Sequence, residues 1–378
     1  MSSASNNPVG NPASSLRWEC GAPVLAVCGY SGSGKTTLLE AAITELVASG
    51  LRVAAIKHDA HGFQVDCEGK DSDRLFRAGA TVSLRGPEEQ FERRGQHALL
   101  PLDLMLRQLG ASHDLLLVEG HKDVALQKIW LCAKGESAPP AEVANVLRVL
   151  PWDGDRRAAF RDFVREWLPR AWSGRQLYGG LLIGGHSSRM GRPKQLVEFG
   201  GHTLGEIAAV ALRDGLKGNT GDAESVALGA GELPESLKAL PRLADAPGFE
   251  GPGAALIAAH RWAPGVAWIV AACDHPHLRA EHIQWLSAQR RPGVWAVVPR
   301  QADGHPCPML ALYEPQALEV VERQACQDGR RDARPAQLLD LPQTLLVAPP
   351  AALADGWKNV NTPQELRDEQ ERLRAAGK

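Results

Sequence analysis

The stretch Pro23-Val-Leu-Ala-Val-Cys-Gly29-Tyr-Ser-Gly-Ser-Gly34-Lys35-Thr36 joins an apolar run to a glycine-rich turn. The turn is a complete match to the pattern G-x-x-x-x-G-K-[ST], and a helical apolar pattern follows it as far as Gly50. Glycines let backbone N–H groups surround phosphate oxygens, and the start of a helix adds partial positive charge. The stretch therefore predicts a strand, a phosphate-binding loop and a helix.

The residue types in this turn predict distinct roles. Lys35 can reach the outer phosphates of a nucleotide, and the Thr36 hydroxyl can bind Mg²⁺. A Gly/Ser-rich turn of chance composition is the alternative, but the strand before it and the helix after it favour nucleotide binding. The predicted nucleotide-binding residues are Gly29, Gly32, Gly34, Lys35, Thr36 and Thr37.

A second apolar strand, His113-Asp-Leu-Leu-Leu-Val-Glu119-Gly120, ends in a carboxylate. An acidic residue at such a strand end can hold Mg²⁺ opposite a phosphate-binding loop. Between the two strands lie His58 and His61, which could bind metal or phosphate. The residues alone favour an ordinary structural or solvent-exposed role for both histidines, and a magnesium role for Glu119.

Several further pieces follow the loop in a fixed order. They are Lys57-His58, His61-Gly62-Phe63, Gly69-Lys70-Asp71-Ser72, Arg77-Ala78-Gly79-Ala80 and Leu117-Val118-Glu119-Gly120. Together with the loop they resemble the MobB family, the GTP-binding accessory proteins of molybdopterin-guanine dinucleotide synthesis, from about Ala22 to Leu168. The resemblance implies a P-loop fold, GTP and Mg²⁺ binding, at most slow GTP hydrolysis, and a helper role.

A second glycine-rich turn, Gly184-Gly-His-Ser-Ser-Arg189-Met-Gly-Arg192-Pro-Lys194, follows another short strand. Its glycines expose backbone N–H groups, and Arg189, Arg192 and Lys194 add positive charge for phosphate. The turn matches neither the Walker pattern nor the dinucleotide fingerprint G-x-G-x-x-G. A flexible basic loop is the alternative reading.

The apolar run from Ala267 to Cys273 ends at Asp274. A carboxylate at the carboxyl end of a buried strand suits Mg²⁺ that is shared with substrate phosphates, although a helix cap or a turn would also use Asp. His275 and His277 could bind metal, but beside a proline the pattern favours ordinary loop residues. Near the end of the chain, Thr362-Pro363 with Glu365 predicts a capped helix.

A spaced set of pieces extends from about Leu177 to Arg372. It comprises Leu182-Ile-Gly-Gly, Arg189-Met-Gly, Lys194, Asp245 with Gly251-Pro252, Cys273-Asp274-x-Pro276, His305-Pro with Ala311-Leu-Tyr, Asp328-Gly-Arg-Arg and Asn359-Val-Asn-Thr-Pro363. The set resembles the MobA family, the molybdenum cofactor guanylyltransferases. The resemblance implies a nucleotidyltransferase with a Rossmann-like sheet and with GTP as substrate.

The MobA resemblance also implies roles for single residues. Leu182, Ile183 and Gly184 would line the GTP pocket, Lys194 would contact phosphate, Asp245 would help to hold the nucleoside, Asp274 would bind Mg²⁺ and GTP, and Asn359 and Asn361 would lie near molybdopterin. We therefore expect Lys194 and Asp274 to be catalytic, with Arg189 as a weaker candidate.

The sequence departs from the MobA pattern at Ile183, Pro193 and Gly253, and Leu228-Gly-Ala-Gly231 lacks the family's asparagine. The Arg-Pro-Lys form also occurs in molybdopterin cytidylyltransferases. Guanylyl transfer remains the favoured prediction. Cytidylyl transfer, another acceptor, and a binding or delivery module with an inactive C-terminal domain remain alternatives.

Composition limits the class of protein. The 378 residues are 44% hydrophobic and carry a net charge of −2, which indicates neither a nucleic-acid nor a membrane partner. Seven scattered cysteines without a C-x-x-C pair argue against a disulfide framework or a structural zinc site, and predict a cytoplasmic protein. GTP and molybdopterin are the expected ligands. Molybdenum-inserting proteins, acceptor molybdoenzymes and a second copy of the chain are candidate partners.

Alternating strand and helix patterns predict α/β architecture with parallel sheets. We expect a disordered tail over residues 1–20, a P-loop domain over 21–172 and a Rossmann-like nucleotidyltransferase domain over 177–376. Leu168 to Gln176 is predicted to separate the domains, after a helix from Arg156 to Trp167.

Overall fold

The structure is a computed structural model that describes residues 20–59, 62–184, 190–218, 225–301, 303–327 and 332–376. The predicted tail therefore lies outside the described residues, except for Cys20. The described residues form two α/β domains, each built around its own sheet. The predicted fold class is confirmed.

The first sheet has the strand order β2-β5-β1-β6-β7, and all of its neighbouring pairs are parallel. A separate antiparallel hairpin, β3–β4, lies outside it. The strands are β1 (Val24–Cys28), β2 (Val53–Lys57), β3 (Val82–Arg85), β4 (Gln90–Arg93), β5 (Leu115–Glu119), β6 (Lys128–Leu131) and β7 (Val146–Leu150). Strands β1 and β5 are apolar along almost their whole length because helices cover both faces of the sheet.

The helices of the first domain are α1 (Lys35–Ala48), α2 (Asp71–Arg77), α3 (Leu102–Gly110) and α4 (Arg156–Ser173). On one face of the sheet, Leu39 of α1 and Phe160 of α4 pack against Leu117. On the other face, Leu106 of α3 packs against Val118. Because helices cover both faces of the sheet, the carboxyl ends of its strands form the open edge of the domain.

The second sheet has the order β12-β11-β8-β13-β15-β14-β16, and a short pair β9–β10 lies beside it. Its strands and those of the pair are β8 (Leu177–Leu182), β9 (Glu198–Phe199), β10 (His202–Thr203), β11 (Ser225–Leu228), β12 (Arg242–Leu243), β13 (Ala267–Ala272), β14 (Ala296–Pro299), β15 (Leu310–Tyr313) and β16 (Thr344–Val347). The helices are α5 (Leu204–Gly215), α6 (Pro252–Trp262), α7 (Ala280–Ser287), α8 (Pro315–Gln327) and α9 (Pro363–Ala376). No helix in the described part of the chain has the length and apolar character needed to cross a bilayer.

The expectation of parallel pairing throughout is wrong for β15. This strand runs antiparallel to both β13 and β14. Residues 300–309 connect β14 to β15, and the described residues among them form no helix. A parallel return needs a crossover of about a dozen residues or more, usually a helix, so the shorter connection turns the chain back antiparallel.

Helix α4 continues to Ser173 and does not end at Trp167 as predicted. Pro169 lies inside the helix and cannot donate a backbone hydrogen bond to the preceding turn. Trp172 is fully buried in the core of the second domain, and its Nε1 donates to Glu314 Oε1 at 3.2 Å. Burial of the Trp172 side chain offsets the hydrogen bond that is lost at Pro169. Most of the segment from Leu168 to Gln176, which was predicted to separate the domains, is therefore part of α4 and packs against the second domain. The exact domain boundary stays a prediction.

The two domains meet through buried polar groups. Gln316 Nε2 donates to the carbonyl oxygens of Gly21 at 2.5 Å and Gly110 at 3.0 Å, and Trp295 Nε1 donates to Asp114 Oδ1 at 2.7 Å. Gly21 and Asp114 precede β1 and β5, so this junction lies at the amino ends of the parallel strands. The open carboxyl edge of the first sheet therefore faces away from the junction.

Candidate functional site

The phosphate-binding loop between β1 and α1 requires glycine. Gly29 and Gly34 have φ values of 149° and 88°, which side-chain-bearing residues rarely adopt. A Cβ on Gly29 would lie 2.4 Å from the carbonyl oxygen of Leu131. Lys35 Nζ donates to the carbonyl oxygens of Gly29 at 3.0 Å and Tyr30 at 2.8 Å, so its ammonium group lies over the loop. We call this loop, together with Thr36 and Glu119, the first cradle.

Thr36 and Glu119 meet in the first cradle. Thr36 Oγ1 donates to both carboxylate oxygens of Glu119, at 3.1 and 3.0 Å, and Lys57 Nζ lies 3.4 Å from Glu119 Oε1. Hydroxyl and carboxylate oxygens are the hard ligands that Mg²⁺ prefers, so these two residues fit the ion. Thr37, the last predicted residue of the loop, is exposed at the start of α1.

Arg156 supports the first cradle through hydrogen bonds to backbone carbonyl groups, a role that the sequence patterns did not predict. At the start of α4, its Nη1 donates to the carbonyl oxygen of Ser33 at 2.7 Å and its Nε donates to that of Pro151 at 2.6 Å. The Nη2 group also donates to the carbonyl oxygen of Cys132. One guanidinium group thus joins the phosphate-binding loop to two neighbouring loops. No local motif marks this role, because two of the three partners, Ser33 and Cys132, are distant in sequence.

The second cradle is the meeting point of Lys194, Asp274 and Asn361. Lys194 Nζ donates to Asp274 Oδ2 at 2.9 Å and to Asn361 Oδ1 at 2.8 Å. Asp274 follows β13 at its carboxyl end, and its carbonyl oxygen accepts from the Val360 amide at 2.8 Å. That bond fixes the segment that carries Asn361 beside the strand end. The Lys194 and Asp274 side chains are mostly buried, with 21% and 17% exposed.

Asp274 is held ionised by the cations around it. Its Oδ1 is buried and lies 3.0 Å from His275 Nδ1. Burial by itself would raise the pKa of the Asp274 carboxyl, yet His275 and Lys194 hold this pKa well below its usual range. Burial likewise opposes protonation of His275, but the Asp274 carboxylate raises the His275 pKa. Carboxylate oxygens are ligands that Mg²⁺ prefers, so an ionised Asp274 fits the ion.

Comparisons with known proteins match both halves of the chain. Residues 24–150 match the family model for molybdopterin guanine dinucleotide synthesis protein B, MobB, and residues 179–340 match that for the MobA-like NTP transferase domain. The adapter protein of molybdopterin-guanine dinucleotide biosynthesis from Haemophilus influenzae is 38% identical over 159 residues, which are 39% of this chain and 89% of that protein. A probable molybdenum cofactor guanylyltransferase from Opitutus terrae is 33% identical over 205 residues, 53% of this chain and 96% of that protein.

The chain belongs to the MobB and MobA families. The family membership predicted from the two motif sets is confirmed, and the chain is a nucleotidyltransferase. A molybdenum cofactor biosynthesis bifunctional protein from Synechocystis is 29% identical over 193 residues, which cover 50% of this chain and 52% of that protein. The first cradle lies in the MobB-like domain, and the second lies in the MobA-like domain.

Other predicted residues of the MobA-like domain lie around the second cradle or outside the described residues. Leu182 ends β8, and the amide of Ile183 donates to the carbonyl oxygen of Leu228 at 2.9 Å. Gly184 follows them and is exposed, whereas Asn359 is half-buried. Asp245 is exposed in the loop after β12 and, among the described residues, makes no hydrogen bond or ion pair with the second cradle. Arg189 and residues 328–331 lie outside the described residues.

The histidines singled out from the sequence have different surroundings. His58 lies exposed, and its ring centroid is 4.7 Å from that of His121, while His61 lies outside the described residues. His277 Nε2 lies 3.0 Å from Glu369 Oε2 on α9, so it helps to hold that helix. His275 is 2% exposed, and its Nε2 lies 3.5 Å from the Sγ of Cys307. Sequence reasoning treated His275 as an ordinary loop residue and missed its contact with Asp274.

Proposed function

We propose that the chain transfers GMP from GTP to molybdopterin, releases pyrophosphate and forms the molybdopterin guanine dinucleotide cofactor. The observation that carries this proposal is the contact of Lys194 with Asp274 and Asn361, next to the turn that follows β8. Cation, carboxylate and amide together can bind a triphosphate and its metal ion. The names of the MobA-like relatives support guanylyl transfer as the reaction.

The reaction needs alignment and charge neutralisation more than covalent catalysis. The terminal phosphate oxygen of molybdopterin attacks the α-phosphorus of GTP, and the bond to the leaving pyrophosphate breaks. Lys194 offsets the negative charge that develops on the α-phosphate and on pyrophosphate. Mg²⁺, when bound, supplies further positive charge to phosphate oxygens, and Asp274 would hold it.

The remaining roles in the MobA-like domain complete this proposal. Leu182, Ile183 and Gly184 would line the GTP pocket with backbone atoms, and Asp245 would approach the nucleoside. Asn361 would lie on the molybdopterin side together with Asn359. Arg189 would add a weaker contact with phosphate.

The MobB-like domain would bind a second nucleotide as an accessory to transfer. Its P-loop residues would surround the phosphates, and Lys35 would reach the outer ones. Thr36 and Glu119 would hold Mg²⁺, since their oxygens already meet at 3.0 to 3.1 Å. We place the boundary between this domain and the MobA-like domain at residues 172–177.

Pyrophosphate release tests the proposal. The full chain is incubated with molybdopterin and, in separate reactions, with GTP, CTP, ATP or UTP, and each reaction is repeated without molybdopterin. We expect molybdopterin-dependent release with GTP. Preferential release with CTP would make the chain a cytidylyltransferase. Binding of nucleotides without release from any of them would contradict enzymatic transfer and favour a delivery module.

A further inference from the structure

The loop Leu228–Gly231, which we call the β11 loop, contains no polar side chain. It begins with the last residue of β11, at the same sheet edge as the second cradle. Its only hydrogen-bonding groups are backbone N–H and C=O groups. Any recognition of a nucleotide by this loop must therefore depend on the direction in which its peptide groups point.

The β11 loop packs tightly against the turn that follows β8. A Cβ on Gly231 would lie 1.7 Å from the carbonyl oxygen of Ile183, and a Cβ on Gly229 would lie 3.2 Å from the Gly184 amide nitrogen. Gly229 also has a φ of 110°. Glycine is therefore required at both positions.

Arg242, on the outer strand β12, sets the direction of two peptide groups in this loop. Its Nε donates to the carbonyl oxygen of Gly229 at 3.1 Å, and its Nη2 donates to that of Gly231 at 2.6 Å. The described peptide bonds are trans, so each N–H points opposite to the C=O of the same peptide. The amides of Ala230 and Glu232 therefore point away from Arg242.

Strand β11 lies between β12 and β8, so the direction away from Arg242 leads towards the β8 turn. Among the described residues, no group accepts a hydrogen bond from the Ala230 or Glu232 amide. In the described part of the chain these two amides lack a protein acceptor, and both residues are exposed, so the amides are open to a ligand. They suit a base edge that carries acceptors, such as O6 and N7 of a 6-oxopurine.

We infer that Arg242 is a positioning residue that makes the second cradle select a 6-oxopurine over a 6-aminopurine. This inference rests on the proposed function and deepens it. An exocyclic amine at position 6 would place a donor against the donors of the loop and leave both unpaired. The guanidinium fork is needed because a lysine ammonium cannot hold two carbonyl groups in a fixed plane.

The test compares two nucleotides that differ only at position 6 of the base and its N1 proton, GTP and 2,6-diaminopurine riboside triphosphate. Equilibrium dissociation constants are measured on the full chain carrying Lys35→Ala, so that the first cradle contributes no binding. We expect the diaminopurine nucleotide to bind about 10- to 100-fold more weakly than GTP, the range for one donor that the bound base covers and leaves unpaired. When Arg242→Ala or Arg242→Lys is added, the dissociation constants of the two nucleotides should differ by no more than about threefold.

Arg213→Ala is the matched control, since Arg213 pairs with its neighbour Asp214 on α5 and should leave the ratio unchanged. The inference would be overturned if both Arg242 variants still bound GTP about 10- to 100-fold more tightly than the diaminopurine nucleotide. It would also be overturned if the Lys35→Ala chain with Arg242 intact bound the two nucleotides equally. Molybdopterin-dependent pyrophosphate release, assayed in parallel, reports on the proposed function separately. Transfer without base discrimination contradicts only this inference, and discrimination without transfer contradicts only the proposed function.

Discussion

The two cradles use the same ingredients, a lysine and a carboxylate at a strand end, but they assemble them differently. In the first cradle, Lys35 contacts a carbonyl group only six residues away. In the second, Lys194 contacts side chains 80 and 167 residues away in the chain. The lysine of the first cradle is therefore held by its own loop, although Thr36 and Glu119 are 83 residues apart, whereas every contact of Lys194 in the second cradle joins distant segments.

The two carboxylates also differ in their surroundings. Lys57, the cation near Glu119, is 55% exposed, and the distance between them is 3.4 Å. Lys194 is 21% exposed and lies 2.9 Å from Asp274. Because water screens exposed charges more than buried ones, the cation of the second cradle acts more strongly on its carboxylate. This difference fits a binding role for the first cradle and a chemical role for the second.

The largest effect is expected at the domain junction. Glu314 is fully buried and accepts from Arg290 Nε and Arg175 Nη2, both at 2.7 Å. Glu314→Gln leaves two guanidinium groups without their carboxylate and should lower the free energy of unfolding by about 3–5 kcal/mol. Denaturant unfolding measures this loss. Glu166→Gln, which breaks an exposed pair with Arg170, should cost less than about 1 kcal/mol, and equal losses would contradict the account.

The second prediction concerns the carboxylate of the second cradle. Asp274→Ala should lower the rate of molybdopterin-dependent pyrophosphate release by at least about 10²-fold, the scale for loss of a major electrostatic stabiliser. Asp214→Ala, which removes a carboxylate paired with Arg213 and Lys217 on the surface, should leave the rate unchanged. Undiminished release from the Asp274 variant would remove this residue from the site.

The third prediction concerns GTP stoichiometry. The wild-type chain should bind two GTP molecules, and Lys35→Ala should bind one, because the lysine supplies the charge that reaches the outer phosphates in the first cradle. Isothermal titration of the full chain measures the number of sites. Lys122→Ala is a control from the loop after β5. Two sites of unchanged affinity in the Lys35 variant would show that the first cradle does not depend on this lysine.

The smallest effect is expected at Asp73 on α2, close to the family stretch at residues 69–72. The Gly69 amide, Arg93 and Arg77 lower the pKa of Asp73 to about 2. Since this pKa is depressed in the folded state, the stabilisation is complete above about pH 4, the unfolded value, and is lost as pH falls towards 2. The thermal unfolding midpoint of the wild-type chain should therefore exceed that of Asp73→Asn at pH 5, and the difference should disappear as the pH is lowered to 2. A constant difference between them would contradict a structural ion pair.

Sequence reasoning predicted most of the first cradle, because a P-loop is a local arrangement that a short pattern specifies. It also singled out Lys194, Asp274 and Asn361 through family motifs, but their mutual contacts depend on the order of strands in the second sheet. Arg156, Arg242 and the end of α4 escaped prediction for the same reason. Their partners are backbone carbonyls or core residues of other loops and elements, and neither composition nor periodicity reports such contacts.

The most direct test of the account is the rate at which the full chain carrying Lys35→Ala transfers α-labelled GMP from saturating GTP to molybdopterin. If the second cradle performs the chemistry and the first only binds a nucleotide, the rate should stay within about tenfold of wild type, since no transition-state contact is removed. Loss of transfer by about 10²-fold or more, in a chain that is folded and still binds GTP in the second cradle, would contradict this division of roles.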